Sequence, residues 1–124
     1  MTTEERSQRV ANRILEEMSD LMIRDVSDPR LQMVNITDVE VDRELAYATI
    51  YFSVLEGQER VDEVLTTLEK AKGYFRSQLA SRIHLRSFPQ IRFRHDPTPE
   101  RVARIEELLA KIKEEQDSME DDIS

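Results

Sequence analysis

The residues of this 124-residue chain that could perform acid–base chemistry are few and poorly spaced for it. Its two histidines are His84 and His95, and a carboxylate, Asp96, directly follows the second. A His–carboxylate pair acts as a general base only where a nucleophile or a substrate pocket adjoins it. Because the sequence indicates neither, a small hydrolase built on His95 and Asp96 is the weakest of three functional hypotheses, and we predict that the protein is not an enzyme.

Metal and nucleotide chemistry are also poorly represented. The chain has no cysteine, which excludes disulfides, thiolate metal ligands and a thiol nucleophile. Its two glycines, Gly57 and Gly73, are too few for a glycine-rich phosphate loop. The acidic residues between positions 25 and 42 alternate with apolar ones, which is typical of a solvated strand face. We therefore expect neither a cofactor nor a metal ion.

The strongest chemical signal is a basic segment within an acidic chain. The formal net charge is −8, from 26 acidic and 18 basic residues. Between Glu69 and Arg94, however, a single acidic residue accompanies seven basic ones. A local cationic patch attracts phosphate and indicates the partner better than the net charge does. The seven basic residues are Lys70, Lys72, Arg76, Arg82, Arg86, Arg92 and Arg94.

An N-terminal helix and two strands precede this segment. Thr2 and Glu5 have the spacing of a capping box, and a helical stripe of apolar residues runs from Val10 to Met22. Two β-branched segments, Leu31–Val41 and Ala46–Val54, alternate as strands and are joined by a short polar turn, which predicts a hairpin. A one-residue shift of the alternation in the first strand predicts a bulge or a change of the buried face.

A long helical row of apolar residues, from about Glu59 to Ile83, carries much of the basic segment. Gly73 lies within this row, where glycine costs a helix about 1 kcal/mol relative to alanine. It therefore kinks the helix, allows a partner to approach the backbone, or is simply tolerated within a well-packed helix. An interruption here would present helix N-terminal N–H groups, which favour phosphate, among cations.

A third strand and a last helix complete the predicted elements. The strand is Phe88–His95, with Arg92 and Arg94 on the face opposite the core. Thr98 and Pro99 are typical of a helix N-terminus. We predict a folded domain over residues 1–96, a C-terminal helix over residues 97–113 and a disordered acidic tail over residues 114–124.

The resulting order, α-β-β-α-(kink)-α-β plus a C-terminal helix, is an α+β arrangement with a three-stranded sheet and helices on one face. It resembles a type II KH domain, which implies that the domain over residues 1–96 is KH-like and binds RNA. In place of the Gly-x-x-Gly loop of ordinary KH domains, the chain has Ala71-Lys72-Gly73, which is similar to the interhelical kink of the bacterial ribosome-binding factor A family. The resemblance spans about residues 5–112, through segments at 9–11, 28–31, 36–41, 48–54, 82–86 and 89–93.

The resemblance implies an assembly factor that binds the free 30S ribosomal subunit and 16S rRNA. It implies a role in late 30S maturation, in processing of the 16S rRNA 5′ end and in growth in the cold. It also implies that Ala71, Lys72 and Gly73 face rRNA with the cations around them. The expected RNA-binding set is Arg30, Lys70, Ala71, Lys72, Gly73, Arg76, Arg82, Arg86, Arg92 and Arg94.

The remaining hypothesis is a protein–protein adaptor that uses the sheet face or the acidic surface, with the basic segment incidental. The sequence shows no apolar membrane-length run and begins with charged residues, so we expect a cytoplasmic protein that does not contact a membrane. We also expect a monomer, on the premise that one core uses all of the apolar stripes.

Overall fold

The described residues form four α-helices and one three-stranded sheet in the predicted order. The structure is a computed structural model that describes residues 2–55 and 58–123, except for the side chains of residues 58, 99–103 and 119–123. Short 3₁₀ turns occupy Pro29–Leu31 and Gln58–Arg60. The main elements are α1 (Thr3–Arg24), β1 (Val34–Val41), β2 (Tyr47–Val54), α2 (Val61–Lys70), α3 (Lys72–Arg82), β3 (Gln90–His95) and α4 (Thr98–Ile123).

The predicted capping box starts α1. The N–H of Glu5 donates to Thr2 Oγ1 at 3.1 Å, and the N–H of Thr2 donates to Glu5 Oε2 at 3.4 Å. Two of the N–H groups that a helix N-terminus leaves unpaired are thereby satisfied. The predicted apolar stripe is the buried face of the helix, which packs against the sheet through Val10, Ile14, Met18 and Leu21.

The sheet has the strand order β1-β2-β3, with β1 antiparallel and β3 parallel to the central strand. The register of β1 against β2 shifts between Ile36 and Asp38, where the alternation of the sequence predicts an irregularity of the strand. Inward side chains of β2, such as Ile50 and Phe52, are fully buried, and the helices cover this face. The α+β class with helices on one side of the sheet is therefore confirmed, and the other side of the sheet stays open.

The long helical row is two helices rather than one. The interruption lies at Ala71, whose backbone leaves the helical region at φ −90° and ψ 2°. Gly73 is not the breaking residue, because it lies in the first turn of α3. Buried side chains on both helices, Leu68 before the break and Phe75 after it, keep both segments against the sheet. The break at Ala71 therefore leaves the core intact on both sides.

The C-terminal helix differs most from the prediction. Instead of ending near residue 113 before a disordered tail, α4 continues to Ile123, while Ser124 lies outside the described residues. Residues 114–123 contain glutamate, glutamine and methionine but neither glycine nor proline, so local propensity allows the helix to continue. The acceptor at its start is Asp96 rather than Thr98, since Asp96 Oδ1 accepts the Thr98 N–H at 3.0 Å.

The apolar stripe of α4 does not join the core. Every residue from 104 to 118 is exposed, and Ile105, Leu108, Leu109 and Ile112 are among the large exposed apolar residues of the protein. The side chain of Val102, which the sequence also assigns to this stripe, lies outside the described residues. The premise that one core uses all of the apolar stripes is therefore wrong. The expectation of a monomer itself stays a prediction.

Candidate nucleic-acid interface

The junction of α2 and α3 leaves helix N-terminal donors uncapped. Ala71 occupies the N-cap position of α3 and offers no side-chain acceptor. Its own N–H donates back to Thr67 O at 3.1 Å, so that donor is satisfied within α2. The N–H groups of the first turn of a helix have no intrahelical acceptor, and they carry the positive end of the helix dipole. The start of α3, at Lys72 and Gly73, is therefore suited to an anion such as phosphate.

Gly73 lies in this first turn, and the fold itself does not require a glycine there. A Cβ built on Gly73 would meet no atom within 4 Å, and the residue is exposed. Its backbone is helical, a conformation that any L-residue adopts. Neither packing nor backbone strain accounts for glycine, so the bare backbone is available for close approach by another molecule.

A cleft of about 340 Å³ adjoins the junction, between it and the α1–β1 connection. Lys70, Ala71 and Tyr74 line its helical side, and Arg30 lines the other. Tyr74 is 47% exposed and packs its ring against Phe75 with centroids 5.6 Å apart. A half-exposed aromatic ring beside cations offers a surface on which an unstacked base can lie.

Three of the predicted cations lie around this junction. Lys72 pairs with Glu69 one turn back, an exposed pair that costs little to exchange for a phosphate. Arg30 forms a bidentate pair with Asp28, at 3.0 Å through Nε and 2.7 Å through Nη2, and these bonds lower the pKa of Asp28. Lys70 is exposed and forms no ion pair within the described part of the chain.

Arg76 does not face outward as the sequence predicts. Its guanidinium donates to Phe88 O at 2.7 Å and to Pro89 O at 3.1 Å, where the chain enters β3. Pro89 is buried, so these carbonyls need a donor from the protein itself. Arg76 therefore fixes α3 to the start of β3 through its Nε and Nη2 groups.

Arg82 is likewise a structural residue. Its guanidinium contacts three carboxylates of and beside α1, at 3.2 Å from Glu17, 3.1 Å from Asp20 and 2.9 Å from Asp25. The hydrogen bond with Glu17, with further contributions from Asp20 and Asp25, raises the pKa of Arg82. The arginine thus joins α3 to α1 and neutralises a cluster that would otherwise repel itself.

We expect Arg82→Ala to lower the free energy of unfolding only modestly, because ion pairs that are partly exposed to water are weak. Urea unfolding at low and high salt measures this loss. The difference between wild type and variant should shrink at high salt because the pairs are screened. Equal stability of both proteins at low salt would contradict this role.

The remaining arginines lie elsewhere on the surface. Arg92 and Arg94 project from the open face of the sheet, where the Arg92 guanidinium lies 3.7 Å from the centre of the Tyr47 ring. On the same face, the Tyr51 hydroxyl donates to Glu40 at 3.1 Å, and burial together with this carboxylate raises the Tyr51 pKa. Because this face points away from the helices, it is a surface separate from the junction.

Arg86 lies in a third location, within a cluster of arginines that the sequence pattern does not indicate. It lines a cleft with Arg6 of α1 and Arg43 of the β1–β2 turn, although Arg43 pairs with Glu4. These arginines are far apart in sequence, so no local pattern could have grouped them. The predicted basic patch is therefore divided among the junction, the open sheet face and this cleft.

His95 and Asp96 make structural contacts at the end of the sheet. The His95 ring lies against Phe52, with centroids 5.7 Å apart. Asp96 accepts hydrogen bonds from Thr98 N–H and, at 3.0 Å, from the Thr37 hydroxyl, and these bonds, with that of Thr98 the strongest, lower its pKa. Within the part of the chain that the structure describes, no group of three acidic or histidine side chains could hold a metal ion, and no helix could span a membrane.

Fold and junction together define an α+β domain of the type II KH-like order, with its exposed helix junction flanked by lysines. The family model described as Ribosome-binding factor A matches residues 6–109. The chain belongs to the ribosome-binding factor A family.

Similar proteins support the same assignment. A ribosome-binding factor A of Halothermothrix orenii is 40% identical over 114 residues, which covers 92% of this chain and 93% of that protein. One from Aromatoleum aromaticum is 34% identical over 117 residues, covering 94% and 92%. Among solved structures, ribosome-binding factor A from Thermus thermophilus has a TM-score of 0.63 at 19% identity, covering 72% of this chain and 94% of that one.

A further structural neighbour carries information on a partner. It is a homology model of the Thermus thermophilus factor, fitted into a cryo-EM map of that protein's complex with the 30S subunit. Its TM-score is 0.55 at 21% identity, and it covers 74% of this chain and 92% of that one. At this identity the likeness establishes the fold of the present chain alone.

Proposed function

We propose that this protein binds the free 30S ribosomal subunit by contacting 16S rRNA with the junction of α2 and α3. The observation that carries the proposal is the open space above Gly73, at a helix N-terminus that no side chain caps. The 30S complex of the Thermus thermophilus factor supports the identity of the partner.

The junction would hold a phosphate of the RNA backbone at the first turn of α3. The N–H groups at Lys72 and Gly73 donate to the phosphate oxygens, and the missing side chain of Gly73 lets the phosphate reach them. Lys70 and Lys72 supply the balancing charge on either side of Ala71. The adjoining cleft receives an unpaired base against Tyr74.

Binding of this kind explains an assembly role without catalysis. A protein that binds one rRNA conformer better than the others shifts the population toward that conformer. We therefore propose action in the cytoplasm late in 30S maturation, in support of 16S rRNA 5′-end processing. Misfolded RNA is trapped more deeply at low temperature, so the need for the factor is greatest in the cold.

Gradient co-sedimentation with free 30S subunits, 50S subunits and joined ribosomes tests the proposal. We expect the protein to sediment with free 30S subunits only, and to dissociate as salt rises. Two or three phosphate contacts predict a loss of affinity of about tenfold between 50 and 200 mM salt. Absence of binding to 30S subunits at low salt would refute the function, and binding insensitive to salt would refute the phosphate contact.

A further inference from the structure

Three arginines that are far apart in the sequence line one cleft, at the end of the sheet where β1 finishes and β2 begins. Arg6 lies in the first turn of α1, Arg43 in the β1–β2 turn and Arg86 in the connection from α3 to β3. The cleft has a volume of about 510 Å³. We call it the arginine cleft, and the function proposed above makes no use of it.

The charges of the arginine cleft are largely unbalanced. The side chains of Arg6 and Arg86 are exposed and form neither an ion pair nor a hydrogen bond within the described residues. Arg43 pairs with Glu4, but both side chains are 68–69% exposed, so replacing this carboxylate by another anion costs little. Among the residues that line the cleft, three positive charges face one negative charge, that of Glu44. In a chain of net charge −8, such a local excess of positive charge attracts anions.

The β1–β2 turn holds one wall of the cleft in a fixed conformation. Asp42 Oδ1 accepts the N–H groups of Ala46 at 2.8 Å and Tyr47 at 2.9 Å, and the Leu45 N–H donates to Asp42 O at 3.0 Å. Leu45 has a φ of 57°, the one positive φ of a non-glycine residue in the described part of the chain. Leucine is strained in this left-handed conformation, but its side chain packs against the core and offsets the strain. Strained backbone that is fixed in this way is frequent at ligand sites.

The opposite wall is tied to the same turn. Leu85 is half-buried and packs against the core, which fixes the connection that carries Arg86. At the start of β3, the Gln90 N–H donates to Ala46 O at 2.8 Å, so this connection returns to the β1–β2 turn. Arg6 lies on a helix. All three arginines therefore stand on ordered backbone, and binding an anion between them requires little further ordering.

The chemistry of the arginine cleft favours phosphate. A guanidinium presents a planar fork of N–H donors that can bind two oxygens of one phosphate. The described residues that line the cleft include no aromatic side chain, and its two leucines are half-buried, so it offers little surface to a base. The cleft is therefore suited to the sugar-phosphate backbone of RNA, and such a contact carries no sequence preference of its own.

From these groups we propose that the arginine cleft binds a phosphate of 16S rRNA, separate from the phosphate at the junction of α2 and α3. The two sites lie at opposite ends of β1, since Arg30 of the junction cleft precedes this strand and Arg43 follows it. Eight residues of strand span about 25 Å, so the sites hold different parts of the RNA. Two such contacts fix the orientation of the domain on the subunit. Only the identity of the RNA rests on the proposed function.

The double variant Arg6→Gln with Arg86→Gln tests the cleft on the 30S subunit. We expect its affinity at about 50 mM salt, measured by co-sedimentation, to fall about tenfold, the effect of losing a charge-assisted contact. The slope of log affinity against log salt should become shallower by about one. Urea unfolding should not change, because neither side chain has a partner within the described residues.

The matched control is Arg104→Gln with Lys111→Gln. It removes the same charge from two exposed positions on α4, which begins beyond the end of β3 that lies away from the arginine cleft. This variant should keep the affinity and the salt slope of the wild type.

A second measurement does not depend on 30S subunits. The side-chain Nε–Hε signals of Arg6 and Arg86 are followed by NMR while a single-stranded oligouridylate is added to the wild-type protein. We expect both signals to shift at low salt and to return as salt rises, whereas the signal of Arg82, which three carboxylates hold, stays in place. Inorganic phosphate at the same phosphate concentration should shift them far less, because a single ion lacks the neighbouring contacts of a strand.

Each other result overturns the assignment of 16S rRNA to the arginine cleft. Equal losses of 30S affinity in the two double variants would show an effect of net charge alone. Fixed NMR signals together with a loss confined to the Arg6 and Arg86 variant would indicate an acidic protein surface instead of RNA. Shifted signals with full 30S affinity of that variant would exclude 16S rRNA, and equal shifts with inorganic phosphate would indicate a site for small phosphates. If the wild type does not bind 30S subunits, the proposed function fails, and the oligouridylate titration still decides whether the cleft binds RNA.

Discussion

Replacing Lys70 and Lys72 together by glutamate should lower affinity for the 30S subunit by at least about 100-fold, because two attractive phosphate contacts become repulsive. The fold should remain intact. Lys70 is exposed, and Lys72 pairs with the exposed Glu69. Co-sedimentation measures the affinity, and urea unfolding measures the stability, which we expect to change by less than about 1 kcal/mol.

The matched comparison is the double variant Arg92→Glu with Arg94→Glu. It changes the net charge by the same amount on the open face of the sheet, away from the junction. If net charge alone governed binding, both double variants would lose affinity equally. A loss of 30S affinity confined to the arginine variant would place the interface on the sheet face and refute the proposed contact at the junction. Arg76 is unsuitable for this experiment because it holds the carbonyls of Phe88 and Pro89.

Local patterns in the sequence predict the faces of the strands well. The alternation in β2 and β3 assigns Ile50 and Phe93 to the core and Arg92 to the open face, as the structure confirms. Even the bulge in β1 is visible, because one inserted residue exchanges the two faces of a strand. These features depend on neighbours one or two residues away, which a sequence displays directly.

The roles of individual arginines depend on distant partners and are hidden in the sequence. Arg82 belongs to the basic segment by position, yet its partner Glu17 lies 65 residues away. Arg76 finds its acceptors in the backbone, where side-chain types give no signal. The sequence therefore predicts a single patch, whereas packing divides it into surface cations and structural ones.

The sequence also does not determine where a helix ends or what packs against it. Periodicity identifies the apolar face of α4 but does not determine what covers it, and Ile105 and Leu109 prove to be exposed. The sequence indicates an interruption of the helix within positions 71–73, but the residue at which the helix breaks depends on the backbone dihedral angles. These two residues therefore have different roles. Ala71 interrupts the helical row, and Gly73 leaves unoccupied space beside the first turn of α3.

Gly73→Ala should therefore act on stability and on binding in opposite directions. Alanine favours a helix over glycine, and its Cβ would meet no atom of the protein within 4 Å, so we expect a gain of about 0.5 kcal/mol in the free energy of unfolding. The same methyl group occupies the space through which a phosphate reaches the N–H groups of α3. Affinity for the 30S subunit should fall by at least about 30-fold, more than 2 kcal/mol.

The matched control is Asn12→Ala, another exposed replacement by alanine within a helix. Asn12 lies thirteen residues before Asp25 in α1, about 20 Å along the helix from the end that lines the junction cleft. It should leave 30S affinity unchanged. Thermal unfolding and co-sedimentation of both variants separate the two effects. If Gly73→Ala gains stability and keeps full affinity, then no partner uses the open space above this turn, and the proposed contact with rRNA is wrong.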